Sequence, residues 1–171
     1  KALSLGIPVV VVRETDERHG GASRAEFRRR CVESEQVTTS AAKHHGWDSG
    51  KVAAQLFDEG LILEWHRDRG FKNVTIKALA EWLTGQQLTW LNGEPMTGTA
   101  STPNHAIQPP EKDHHIYLSD NHPRLREIVV LLQEKWSNLR LLLGGDASIA
   151  AQTCDNAVVM LTDNCFVGEA G

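Results

Sequence analysis

The sequence predicts an α/β fold, in which a parallel sheet carries a separate module of helices and a hairpin inserted between its parts. Three observations predict it. Residues 6–12, Gly-Ile-Pro-Val-Val-Val-Val, are apolar on both faces and rich in β-branched residues, which is the pattern of a central parallel strand. The last third of the chain alternates short apolar runs with helical patterns, as βαβ units do. Between them, residues 22–91 have a different rhythm of two short helices, a hairpin and a further helix.

The elements follow in order. Pro8 sits near the start of the first strand, where a missing N–H is tolerated. The strand ends at the charged run 13–18, and His19-Gly20-Gly21 reads as a loop. Residues 22–32 read as a helix, capped by Ser23 with Glu26 three residues on. Residues 39–45 read as a short helix with Thr38, Thr39 or Ser40 as its cap. Gly46-Trp47-Asp48 reads as a turn, and residues 49–59 as a second helix. Val52, Ala53, Leu56 and Phe57 are at helical spacing there, and Gly60 ends it. Residues 61–66 read as a strand, 67–70 as a hairpin turn and 71–76 as the returning strand. A helix is expected over 77–84, extending towards Leu91.

Residues 92–111 are rich in Pro, Gly, Thr, Ser and Asn. They read as a linker, because Pro95, Pro103, Pro109 and Pro110 cannot continue regular elements. Strands are then expected at 114–118, 139–143 and 157–161. Helices are expected over 123–136 and after Gly144-Gly145-Asp146.

The two ends read as one unit. The final CFVGEAG placed before the initial KALSLGIPVVVV makes a short helix feeding a strand. The strand at 7–13 is therefore expected beside the strand at 157–161, as in a circular permutant or a piece cut from a repeated architecture. The domains expected are 1–13 plus 112–171 as the parallel α/β unit, 22–91 as the inserted module, and 92–111 as linker.

At this join the sequence resembles two families. Asp163, Glu169 and Gly171, followed by Ala2-Leu3 and Gly6-Ile7-Pro8-Val9, are similar to the nucleoside 2-deoxyribosyltransferases and to the bacterial Toll/interleukin-receptor (TIR) domains that cleave NAD. Ile116-Tyr117-Leu118 with Ser119-Asp120 resembles their first strand. The resemblance covers roughly 75 residues and implies a flavodoxin-like sheet. It implies Glu169 as a catalytic carboxylate at an N-glycosidic bond, Asp163 assisting, and NAD or a nucleoside as substrate. Gly144-Gly145-Asp146 and the short helix after it are leaner than the TIR arrangement, and no further acidic motif of the deoxyribosyltransferase type follows.

Physical reasoning points to the same edge of the sheet. Parallel sheets bind ligands at the carboxyl ends of their strands. Tyr117, Ser119, Asp120, Gly144, Gly145 and Asn164 are the substrate-binding candidates there. A carboxylate in the first turn of a helix can attack or stabilise an oxocarbenium-like sugar as the glycosidic bond breaks. Equally, Glu169 can be a solvated residue favoured by the helix dipole, and the aspartates can be caps. The two glycines suit a phosphate cradle or a plain turn.

The middle segment resembles a winged helix-turn-helix domain over residues 22–84. That resemblance implies a second function, a DNA-binding regulator whose α/β part senses a ligand or forms a dimer. The second helix would present Ser49, Lys51 and Gln55 to the major groove, and the wing would offer Arg67, Arg69 and Lys72 to phosphates. Twelve basic and eleven acidic residues lie in 13–80, against five and nine in 111–171.

Composition bounds the rest. The 171 residues carry 18 Lys and Arg against 22 Asp and Glu, which argues against nucleic-acid binding by bulk charge. No apolar run approaches the ~20 residues that span a bilayer, and no signal peptide is read at the start. Three cysteines without a CxxC pair point to a reducing, cytoplasmic setting and away from a disulfide framework. The adjacent pairs His44-His45 and His114-His115 point in different directions, so no metal site is expected. The five tryptophans are expected in the core and at its edges.

Overall fold

The computed structural model describes residues 2–42, 46–85, 89–91, 94–96, 109–118, 123–145, 147–162 and 165. Five strands form one all-parallel sheet: β1 (Val9–Glu14), β2 (Leu61–Trp65), β5 (His114–Leu118), β6 (Leu141–Leu143) and β7 (Cys154–Leu161). The order across the sheet is β2-β1-β7-β5-β6. β1 pairs with β7 with Val9 opposite Ala157 and Arg13 opposite Leu161, so the strand expected beside 157–161 is there. Taken cyclically from β5, the strands follow the second-first-third-fourth-fifth order of flavodoxin-like sheets.

The helices are α1 (Arg24–Glu33), α2 (Glu35–Ala42), α3 (Ser49–Ala53), α4 (Arg69–Thr84), α5 (Pro123–Lys135) and α6 (Ala147–Thr153). α3 runs on through a π-helical turn, Ala54–Asp58. They cover both faces of the sheet. On one face Val10, Val12, Trp65, Ile116, Leu118, Val158 and Met160 meet Ile76 and Leu79 of α4 and Ile128 and Leu132 of α5. On the other, Val11 and Leu161 meet Phe27 and Cys31 of α1 and Ala53 and Phe57 beyond it. Alternate residues of β1 thus point into two separate cores, which is why its sequence is apolar without interruption. Among the described residues no helix is long and apolar enough to cross a membrane.

The caps follow from local chemistry. Ser23 Oγ accepts from Glu26 N at 3.1 Å at the start of α1, as the capping spacing predicts. Asp48, expected in a turn, caps α3 by accepting from Lys51 N at 2.7 Å. α2 begins four residues before its expected start, because Ser34 rather than Thr38, Thr39 or Ser40 accepts from the helix, its Oγ taking Val37 N at 3.3 Å.

The hairpin expected over 61–76 does not form. β2 pairs in parallel with β1, Val10 opposite Leu61 and Glu14 opposite Trp65, and residues 69–84 are one helix. Thr75, Ile76, Leu79 and Ala80 are buried. Their spacing of one, four and five is a helical stripe, and it outweighs the β-branched character of Val74-Thr75-Ile76. The wing of the expected winged helix is therefore a sheet strand and a crossover helix. Past α4, β3 (Thr89–Leu91) and β4 (Glu94–Met96) make a small antiparallel pair, in place of a helix continuing to Leu91. Most of the expected linker 92–111 lies outside the described residues.

Candidate functional site

The carboxyl end of β1 is built around a buried charge. Glu14 is the last residue of the strand and has no exposed surface. Its Oε1 accepts from Thr15 N at 3.1 Å and Asp16 N at 3.0 Å. Its Oε2 accepts from Arg67 Nη2 at 3.0 Å. Arg67 also lies 3.6 Å from Asp16 Oδ2. The charge is thus compensated in the way a buried carboxylate requires. Thr15 Oγ1 donates to Trp65 O at 2.9 Å, a second tie between the loop after β1 and the end of β2. On the opposite face Arg13 pairs with Glu64 and donates to Ala22 O.

Asp16 also takes both Arg18 Nε and Nη2. Hydrogen bonding by Arg18 holds the Asp16 carboxyl down at about 2. The turn closes where Gly21 N donates to Asp16 O at 3.0 Å.

Cys165, four residues past β7, borders a cavity of about 290 Å³. It lies between the 3-10 turn Leu3–Leu5, α2, the start of α3, and Cys165. Gln36, Val37, Ser40 and Ala41 line it from α2, and their spacing puts them on one helix face. Trp47 and Val52 supply another wall, and Leu3 and Ser4 a third. Cys165 is fastened to the end of β7, where its Sγ donates to Met160 O at 3.2 Å and accepts from Thr162 N at 3.3 Å. Lys51 Nζ stands 4.5 Å from the Trp47 ring centroid, a cation–π distance. The described lining is apolar with a few neutral polar groups, the usual make-up of a small-molecule pocket.

The candidates from the sequence fall into three groups. Ser119, Asp120, Asp163, Asn164 and Glu169 lie outside the described residues, as does Asp146. Tyr117 packs against the small cluster of Ile7, Ala151 and Ala157. Gly144 and Gly145 follow β6 with φ of 64° and 87°, a turn that glycine adopts without strain, and Gly144 N donates to Leu118 O at 2.9 Å.

The residues proposed for DNA all sit in contacts within the chain where their side chains are described. Ser49 Oγ donates to Val32 O at 2.9 Å. Lys51 lies on Trp47, and Gln55 donates to Glu59. Arg67 is held by Glu14, and Lys72 pairs with Glu127 of α5. Arg69 is the first residue of α4. Among the described residues no group of three or more His, Cys, Asp or Glu could hold a metal ion.

Reasoning from sequence missed Glu14, Arg67 as its partner, and the Trp47–Gln36–Cys165 cavity. The signal for the first was the charged run at the end of an apolar strand. The cavity unites positions 3, 36, 47 and 165, and spacing along the chain carries no sign of that.

No protein family, curated protein or solved structure matches the chain. The fold defines a doubly wound parallel α/β protein, and its function rests on the site alone.

Proposed function

We propose that the protein handles a nucleoside or nucleotide and acts at its N-glycosidic bond. The observation that carries this reading is the cavity lined by Trp47, Gln36 and Cys165. Cys165 follows the carboxyl end of β7, the end of a parallel sheet where ligands sit, and Asp163, Asn164 and Glu169 follow the same strand in sequence. In the proposed reaction Glu169 stabilises or attacks the sugar carbon as its bond to the base nitrogen breaks. Asp163 orients a ribose hydroxyl or carries a proton. For hydrolysis, water supplies the new oxygen on that carbon, and its proton goes to the departing base.

The test is chromatographic release of free base from a panel of nucleosides and from NAD. Turnover abolished by Glu169→Gln, with an unchanged thermal melt, would support the assignment. Turnover unaffected by Glu169→Gln would remove Glu169 from the mechanism. Absence of turnover on the whole panel would leave a binding protein at most. DNA recognition has less support, since Lys51, Gln55, Arg67 and Lys72 are engaged within the chain.

A further inference from the structure

We infer that the cavity between α2, α3 and Cys165 is a subsite for one uncharged planar nitrogen heterocycle, stacked on Trp47 and read at its edge by Gln36. The inference rests on the proposed function and narrows it to the part of the ligand held here.

Size is the first argument. About 290 Å³ is at the lower limit of ligand pockets, which run from roughly 300 to 1,000 Å³. Such a space suits a single ring system with little attached.

Charge is the second. Among the described lining residues there is no Lys, Arg, His, Asp or Glu. A phosphate here would give up part of its water, and none of these described lining residues brings a cation in its place, since Lys51 lies against the Trp47 ring and is not among them; that exchange is costly. An uncharged ring loses little, and its apolar faces meet Leu3, Val37 and Val52.

Trp47 and Gln36 line the same cavity. Lys51 holds its ammonium against the Trp47 ring and so restrains an aromatic wall of the cavity. Aromatic rings stack on heterocycles regardless of base identity, at about 1–3 kcal/mol per base. Identity then needs a group that reads the ring edge. Gln36 supplies one acceptor and a two-proton donor on a planar amide, the pairing glutamine makes with adenine in nucleic acids.

Cys165 makes the inference testable. It is the exposed thiol of the three and lines the cavity, whereas Cys31 and Cys154 are buried. The experiment is alkylation of the native full chain by iodoacetamide, followed by mass spectrometry at each cysteine. Adenosine, uridine and ribose 5-phosphate are the probes. At millimolar concentration, adenosine or uridine is expected to slow modification of Cys165 at least threefold, and ribose 5-phosphate is not. Trp47→Ala should abolish the protection and Trp47→Phe should keep most of it, with unchanged thermal melts. Gln36→Leu should reduce the difference between adenosine and uridine.

Protection by ribose 5-phosphate equal to that by adenosine would overturn the inference. So would protection that survives Trp47→Ala, or no protection by either nucleoside. The readout is independent of turnover. Protection without base release upholds the subsite and sinks the proposed reaction, whereas base release without protection does the reverse.

Discussion

Arg67, two residues beyond β2, donates from Nη2 to the Oε2 of Glu14 at 3.0 Å, and Glu14 is the buried last residue of β1. The pair joins the carboxyl ends of two neighbouring parallel strands. It fixes the loop after β1 as well, because the other oxygen of Glu14 holds the backbone amides of Thr15 and Asp16. Removing Arg67 leaves a buried carboxylate without its counter-charge. Arg67→Met is therefore expected to cost about 3 kcal/mol, within the range for breaking a buried pair. Glu14→Gln with Arg67→Met keeps an acceptor for the two amides and has no charge to compensate. The double variant should recover at least half of that loss. Urea unfolding of the two singles and the double gives the coupling directly. Additive losses would mean that the pair contributes nothing of its own.

The same loop has a steric limit at Gly21. A Cβ there would lie 2.7 Å from Asp16 N and 2.7 Å from Thr15 C, both backbone atoms that cannot swing away. Gly21→Ala should destabilise by roughly 2 kcal/mol, in the range of overpacking. It should also loosen the Glu14–Arg67 tie. Hydrogen exchange at the amides of Thr15 and Asp16 would rise well beyond the global change. Wild-type stability in this variant would show that the loop is slack.

The three thiols should separate cleanly. Burial pushes Cys31 up to about 11 and Cys154 upward as well. Both are fully enclosed, while Cys165 is exposed. The thiolate is the reactive form. A thiol-disulfide reagent at pH 8 should therefore titrate one cysteine in the native protein and all three in denaturant. Cys165→Ser should leave none reactive in the native state. Two fast thiols in the native protein would contradict the burial of Cys31 or of Cys154.

What the sequence discloses here depends on whether the signal is local. β1, β5 and β7 are legible because both of their faces are buried and their residues say so without any partner. Ser23 and Glu26 announce the start of α1 in the same way. Residues 61–76 mislead because two local signals conflict. Arg67-Asp68-Arg69-Gly70 looks like a turn, and Val74-Thr75-Ile76 looks like a strand. The helix is decided by which side chains meet the sheet, namely Ile76, Leu79 and Ala80, and that is tertiary information. The site divides along the same line. A ligand edge at the strand carboxyl ends follows from parallel topology. Arg67 crossing to Glu14 is a contact across 53 positions, and Trp47 and Gln36 line one cavity from positions 11 apart, neither of which a motif encodes.

Acid should unfold the protein through identifiable carboxylates. Glu26 takes Arg29 and Arg30 in the first turns of α1. Hydrogen bonding by Arg29, then by Arg30, lowers it from 4.5 to about 2. Asp16 is lowered from 3.8 to about 2, chiefly by Arg18. Both groups bind protons more readily when unfolded than when folded. Their contribution is thus fully present above about pH 4.5 and is lost as pH falls towards 2. The contribution of these two groups to the melting temperature should be constant from pH 7 to 5 and fall between pH 4.5 and 2. Glu26→Gln and Asp16→Asn should each make that fall shallower, and together more so. Because these ion pairs face solvent, 0.5 M salt should reduce the effect. A pH profile that is the same in wild type and the double variant would show that these carboxylates have no part in acid stability.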